Sequence, residues 1–366
     1  MSDVFKDRMR NCRQIIEDKD VDYVFLTPDS NMYYVSGYDG KIHERHFFLV
    51  ISQDEKFFFI PELYEEQVKN NTWIDEFETW SDSENPREKL ERKLDAEKSG
   101  KILFSENMQS RFLLDLTNIF SDADYGLAGE VFENLRITKN REEIQCIRES
   151  SKILDEVVEE IRRIEEEIVG QTEDELAEII EEKMFDKGAE KTSFNTIASS
   201  GQNGAKPHYE HGEKTIESGE PVVLDFGCYM DHYPSDQTRT LVFGNEPSEK
   251  FKEVHEIVRE AQQTAVEKVE PGVKAKEVDR AARKVIEEAG YREEFIHRTG
   301  HGVGLEIHEP PFINQENSRE LEEGMVFSVE PGIYIEGEFG VRIEDLVVVT
   351  EDGCERLNRT DRTWKC

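Results

Sequence analysis

At 366 residues the chain exceeds one typical domain, and its 82 acidic against 46 basic residues leave a formal charge of −36. That balance excludes nucleic acid and anionic membrane as partners, because phosphate binding needs a cationic face. No apolar run approaches the roughly 18 residues that span a bilayer, and the opening MSDVFKDRMRNC lacks a signal-peptide core; a cytoplasmic protein is expected. Cys12, Cys146, Cys228, Cys354 and Cys366 are scattered, with no CxxC spacing, which argues for a reduced compartment and against a disulfide framework. Segments such as RRIEEEIVGQTEDELAEIIEEK place acids between apolar helical positions, as a solvated face does. A surface this acidic is the expected adaptation to a salty cytosol, where its repulsion is screened.

Residues 20 to 130 alternate strand-like and helical segments. VDYVFLT, NMYYVSGY, RHFFLVIS, KFFFIPEL and KILFSE are aromatic and β-branched runs bounded by Pro, Asp, Asn or Gly, and read as strands. Pro86 to Lys98 has a helical pattern. The reading is a small α/β domain with a mixed sheet. At LRITKNREEIQCIRESSKILDEVVEEIRRI the apolar spacing turns helical, from Ile144 to Ile164, and a long helix opens a second domain. The boundary falls near residues 133 to 140, giving domains 1–135 and 136–366.

The second domain carries a faint repeat. Gly170 to Gly188 and Gly272 to Gly290 are equal spans offset by 102 residues, and Leu176, Ile180 and Met184 align with Val278, Ala282 and Ile286. Thr172 with Glu175 forms a capping-box pattern, and each span ends on Gly where a helix C′ residue belongs. Two helices of similar length by coincidence, or a duplicated half-domain with approximate twofold symmetry, both fit. The strands expected around them are PVVLDFGCYM, RTLVFG, MVFSVEPGIYI and VRIEDLVVVT.

Four acids there sit in apolar surroundings: Asp225 ends PVVLDFG, Asp236 precedes TRTLVF, Glu330 interrupts MVFSVEPGIYI, and Glu344 interrupts GVRIEDLVVV. A carboxylate taken out of water is costly unless paired, protonated or bound to metal. Four exceed the local cationic supply of Arg239 and Arg342, and divalent metal is the charge that remains. His301, in TGHGVGLEIHEPP, is the natural imidazole ligand, with glycines that permit close approach. Five such ligands suit two ions about 3.5–4 Å apart that share a hydroxide, an arrangement for hydrolysis. Oxygen-rich sets favour Mn²⁺, with Co²⁺ and Zn²⁺ acceptable once imidazole joins. The structural reading stands beside this one: singly, Asp225 is a strand-end turn residue, Glu344 a satisfied edge acid and His301 a hydrogen-bonded loop histidine.

The runs LDFGCYMDHYPSDQTRT, GHGVGLEIHEPP, VFSVEPGIYI and GVRIEDLVVV together resemble the M24 pita-bread metallopeptidases, within them the Xaa-Pro peptidase branch of prolidase and aminopeptidase P. NMYYVSGY and LRITKNREEIQCIRESS are similar to that family's N-terminal domain and domain junction. The resemblance implies an α+β fold: a C-terminal pita-bread catalytic domain with pseudo-twofold symmetry after a smaller α/β domain of the creatinase/prolidase N-terminal type. It implies a metal set of Asp225, Asp236, His301, Glu330 and Glu344, with Asp236 and Glu344 bridging two ions, Mn²⁺ or Co²⁺ first, then Zn²⁺ or Fe²⁺. Asp225 would bind one ion, and His301 and Glu330 the other. His308 is similar to the histidine that stabilises the tetrahedral intermediate, His208 to one held above the metals, and His297 to one that contacts the substrate carbonyl or carboxylate. Arg342, two residues before Glu344 on one expected strand face, would orient a metal ligand.

The implied reaction is hydrolysis of the bond before proline in a small peptide. A metal-bridging hydroxide attacks, and Glu330, assisted by His208, carries a proton to the leaving nitrogen. Prolidase is the first expectation, aminopeptidase P acting on longer peptides the alternative, and a non-catalytic pita-bread binding module the rival from another class. The residues that discriminate substrates are expected in N-terminal loops around Asp39 to Arg45, and a homodimer is expected. His211, His232 and His255 read as surface or structural, Cys228 as core filler, and Tyr229 as a neighbour of the Asp225 face.

Overall fold

The structure, a computed structural model, describes residues 2–41, 44–94 and 100–366. It divides into two compact units, 1–136 and 137–366. Ile42 and His43, inside the expected discriminating loop, and residues 95–98 of the expected Pro86–Lys98 helix lie outside the described residues. No helix among the described residues is long and apolar enough to cross a membrane.

The first unit is a six-stranded mixed sheet. Its strands are β1 (Tyr23–Leu26), β2 (Phe48–Ile51), β3 (Lys56–Pro61), β4 (Phe77–Trp80), β5 (Lys101–Phe104) and β6 (Asp124–Leu127), in the order β4-β3-β2-β1-β5-β6. β1–β2 and β2–β3 pair antiparallel and the remaining neighbours parallel. Phe25, Phe48, Phe59, Phe104, Phe112 and Phe120 make an aromatic core on one face of the sheet. NMYYVSGY is not the expected strand. Ser30–Ser36 is a helix, with the Asp29 side chain accepting from the Met32 N–H and Gly37 at φ +75° closing its C-terminus. Caps outweigh the strand propensity of two tyrosines and a valine over so short a run. The Pro86 helix ends at Lys93, where Leu94 turns to extended backbone.

The second unit opens on the Arg141–Arg163 helix, started by a capping box of Asn140 and Glu143. Ile147, Leu154, Val157, Val158 and Ile161 are fully buried. Each contributes on the order of 1.5–3 kcal/mol by leaving water, and the last four share one cluster with Leu176, Ile180, Leu224 and Phe226. Around them run β7 (Lys191–Thr192), β8 (Ile197–Ser200), β9 (Pro221–Phe226), β10 (Cys228–Met230), β11 (Tyr233–Pro234) and β12 (Gln237–Val242). A second cluster gathers under the helices Glu249–Glu267 and Ala275–Glu288. It packs against β13 (Gly300–Gly302), β14 (Glu309–Ile313), β15 (Val326–Val329), β16 (Gly332–Ile335), β17 (Phe339–Arg342), β18 (Asp345–Thr350) and β19 (Gly353–Arg356).

The faint repeat is a real duplication of local structure. The helices Glu173–Asp186 and Ala275–Glu288 keep the 102-residue offset at both ends. Gly188 (φ +96°) and Gly290 (φ +91°) follow them in the left-handed region, where glycine carries no Cβ penalty. The bridge from Thr172 to Thr215 recurs as Lys274 to Glu320, again 102 residues on at its first member. Both halves, each with its pair of helices and its strands, contribute residues to the cavity described next.

Candidate active site

Asp225 lies near the end of β9, opposite Thr238 of the antiparallel β12, and Asp236 stands directly before β12. Glu330 and Glu344 were expected inside single strands. Each instead occupies a break, Glu330 between β15 and β16 and Glu344 between β17 and β18. At the first break Pro331 has no N–H to continue a ladder, and the Glu330 N–H donates sideways to the Thr299 carbonyl (2.8 Å). At the second, the Glu344 N–H donates to the Thr238 carbonyl (3.1 Å), tying one half of the unit to the other. His301 sits in β13, squeezed between β14 and β15. A Cβ on Gly300 would strike the Ser328 carbonyl, and one on Gly302 the Pro310 carbonyl. Those glycines are there for close backbone approach.

The structure brings all nine expected site residues to one cavity of about 700 Å³. Asp225, Asp236, His301, Glu330 and Glu344 line its floor, and His208, His297, His308 and Arg342 share its walls. Ligand atoms of Asp236, His301 and Glu344 lie within 4.8 Å of one another. The His301 Nε2 is 3.6 Å from Asp236 Oδ2 and 3.4 Å from Glu330 Oε1. Its Nδ1 is 3.3 Å from the Gly302 carbonyl; with the ring proton on Nδ1, the Nε2 lone pair is turned toward the acids. Burial first, then His308, pushes this imidazole down to about 3, so it is neutral. A lone pair facing carboxylates has nothing to bond to unless a cation or a proton lies between them.

The acids are equally short of partners. Glu344 Oε2 accepts from the Thr238 hydroxyl (2.7 Å) and Asp225 Oδ2 from Arg342 (2.5 Å). Asp225 Oδ1, Asp236 Oδ1 and Glu344 Oε1 are buried and find no hydrogen-bond partner among the described residues. Burial, followed by the neighbouring carboxylates, holds the Asp236 and Glu344 carboxyls well above the usual range. Burial likewise pushes Glu330 up to about 7, against the pull of Arg342. Orphan oxygens, a neutral imidazole aimed at them and an excess of buried negative charge fit a site for divalent cations held by oxygen and nitrogen donors. Arg239, counted from the sequence as nearby cationic supply, turns away to Asp345 (2.7 Å) in a buried pair of its own.

Arg342 is the organiser of one wall. Its guanidinium reaches Asp225 Oδ2, the Tyr334 hydroxyl (2.8 Å), the Thr238 hydroxyl (3.2 Å) and the Pro207 carbonyl (3.3 Å). Burial works against its charge, yet Tyr334, Asp225 and Glu330 hold it protonated. The Tyr334 hydroxyl also meets His297 Nε2 (2.9 Å), while His297 Nδ1 lies 2.6 Å from the Arg298 carbonyl. Both nitrogens of His297 are thus engaged within the protein. Burial, then Arg342, takes its pKa down to about 3. His208 and His308 are exposed at the cavity, and the His308 ring lies edge-on to His301 at 4.3 Å. Tyr334, Thr238 and Arg298 were not singled out from sequence. Thr238 follows Asp236 by two residues and so shares its strand face, a signal that was legible; Tyr334 and Arg298 gave none. His211 pairs with Asp174 (2.6 Å), His255 is buried in the core, and Cys228 is buried beside Ser235.

Residues 145–351 match the model of metallopeptidase family M24, and residues 8–138 match the creatinase/prolidase N-terminal domain. A Pyrococcus furiosus protein named Xaa-Pro dipeptidase is 39% identical over 358 residues, 98% of this chain and 99% of its own. The crystal structure of a recombinant prolidase from Thermococcus sibiricus superposes with a TM-score of 0.92 at 38% identity, covering 98% of each chain. An X-Pro aminopeptidase from Thermotoga maritima gives 0.85 at 32% identity, covering 98% of this chain and 99% of its own.

Proposed function

Because the chain belongs to metallopeptidase family M24, we propose that it hydrolyses the Xaa-Pro bond of small peptides as a dipeptidase of the prolidase type. The observation that carries this reading is the set of buried carboxylate oxygens left without partners around a neutral, inward-facing His301. Asp225, Asp236, His301, Glu330 and Glu344 would hold two divalent ions, with Mn²⁺ or Co²⁺ the best match to four carboxylates and one imidazole, ahead of Zn²⁺ or Fe²⁺. When bound, such a pair supplies a water nucleophile at neutral pH and charge to polarise the scissile carbonyl.

The chain's own groups do the remaining work. Arg342 fixes Asp225 through one carboxylate oxygen and leaves the other toward the cavity. Glu330 is the proton carrier to the proline nitrogen, an imide nitrogen with no hydrogen of its own that leaves only when protonated. His308 donates to the developing oxyanion, and His208, exposed at the same cavity, assists Glu330 in delivering the proton. His297 acts through Tyr334, whose hydroxyl it holds against Arg342. We also propose a cytoplasmic homodimer whose acidic surface is adapted to high salt.

The likeness to the Thermotoga aminopeptidase favours one second reading, release of the N-terminal residue from longer Xaa-Pro peptides. The deciding assay compares Gly-Pro with a Gly-Pro-Xaa tripeptide under added Mn²⁺ or Co²⁺. Turnover of the dipeptide alone supports prolidase and turnover of the tripeptide supports the second reading. Cleavage of neither, with about two ions bound per chain, rejects both.

A further inference from the structure

The loop between β13 and β14 that carries His308 is built around a buried ion pair. Lys139 Nζ lies 2.8 Å from Glu309 Oε1, with the two side chains 2% and 4% exposed. Lys139 comes from the entry to the second unit, 170 residues before its partner in sequence. Its backbone N–H donates to the Gly324 carbonyl (2.8 Å) and its ammonium also to the Ile137 carbonyl (3.1 Å). The other Glu309 oxygen accepts the Glu306 N–H (3.3 Å), and the Glu306 carbonyl accepts the Gly304 N–H (3.1 Å). The loop is therefore wrapped on the Glu309 carboxylate. A Cβ at Gly304 would collide with that carboxylate. A free glutamate would swing aside for it, but one pinned by a buried lysine has nowhere to go. This accounts for the third glycine of GHGVG, which neither a strand nor a turn requires.

A buried ion pair is a poor way to add stability, since desolvating both groups offsets most of their attraction, and its best-attested use is to fix one geometry over others. The geometry fixed here belongs to the preceding residue, His308. With the Glu309 carboxylate turned inward, His308 is left on the cavity side, edge-on to His301. We propose that Lys139 and Glu309 are positioning residues for His308, holding its imidazole where the reaction needs a donor. The inference rests on the peptidase reading for its kinetic consequence and on the fold alone for its structural one.

The crystal structure of Glu309→Gln tests the second part without substrate. The His308 ring should leave its contact with His301 while Asp225, Asp236, Glu330 and Glu344 stay in place. An unmoved His308 overturns the proposal. The kinetic test is a double-mutant cycle with a Xaa-Pro dipeptide. Glu309→Gln should lower kcat by about 10- to 100-fold, the scale of an ångström-sized misplacement, with KM and bound metal little changed. In a His308→Ala background the same substitution should have almost no further effect. Equal losses in both backgrounds, or a loss that follows metal content, would show a general structural role and overturn the proposal. If Glu309→Gln does not fold, Lys139→Arg, which keeps the charge and displaces it, is taken through the same cycle and structure. If the wild type splits no Xaa-Pro peptide, the functional reading fails by itself and the position of His308 in the variant still decides this one.

Discussion

Stripping divalent ions should make this protein lose stability as pH rises, the reverse of ordinary carboxylate behaviour. Burial is the chief reason that Glu330 is pushed up from 4.5 to about 7, and that Asp236 and Glu344 lie well above their usual range. A carboxyl whose folded pKa exceeds its unfolded one contributes stability that is complete below the unfolded value and lost as pH climbs through the folded one. For Glu330 the window runs from 4.5 to about 7, and at about 1.4 kcal/mol per pH unit the loss is on the order of 3 kcal/mol. Asp236 and Glu344 extend it upward, the three sharing protons as a set. Divalent cations in the cavity supply the missing charge and should abolish the slope. Urea unfolding of EDTA-dialysed and Mn²⁺-loaded protein from pH 5 to 8.5 reads this directly. Calorimetric titration of Mn²⁺ at pH 7, in buffers of different ionisation enthalpy, should show about one proton or more released per chain. Parallel stability curves together with no proton release would refute the account of the site as a cluster of acids awaiting cations.

Replacing Glu330 with Gln should lower kcat by ~100-fold or more, the scale of losing a general acid–base; a near-wild-type rate with metals still bound refutes its role as proton carrier. His255 is buried, its Nε2 has no hydrogen-bond partner among the described residues, and burial lowers its pKa from 6.5 to about 4. The unfolded chain therefore takes up the proton first, and stability falls as pH drops from about 6.5 to about 4 by on the order of 3 kcal/mol. The unfolding free energy of the wild type minus that of His255→Leu should fall by about that amount between pH 7.5 and 4.5, and a constant difference refutes it. Lowering salt from about 1 M to 0.1 M lengthens the Debye length from about 3 to 10 Å. Mutual repulsion within a net charge of −36 should then reduce Tm and activity together, and an unchanged Tm rejects adaptation to high salt.

What the sequence made legible was whatever violated its own surroundings. Asp225, Asp236, Glu330 and Glu344 stood out because an acid inside an apolar run needs a reason in a chain with ample surface for acids, and all four reach the cavity. The same runs hid how they get there: MVFSVEPGIYI and VRIEDLVVVT read as unbroken strands, whereas the acids occupy the breaks, whose backbone groups bond to Thr299, just before β13, and Thr238 of β12. The repeat was legible to the residue because glycine at a helix C′ position is a local requirement. NMYYVSGY carries strand-like side chains, but the Asp29 and Gly37 caps flanking it decide its helix.

Partners far apart in the chain left no such trace. Nothing near Lys139 names Glu309, and nothing in EPGIYI says that Tyr334 will stand between His297 and Arg342. Yet the glycines did record where the folded chain presses against itself. Gly300 and Gly302 mark where β13 is pressed between its neighbours, and Gly304 marks the Glu309 carboxylate. A glycine that no turn or cap explains is thus the local sign of a close contact made only in the folded chain, and in TGHGVGLEIHEPP three of them in five residues bracket the histidine that faces the acids. Gly304→Ala separates this from mere loop flexibility. A steric origin requires it to disturb His308 as Glu309→Gln does, whereas a loop that only needed freedom would tolerate alanine with less than about 1 kcal/mol of change.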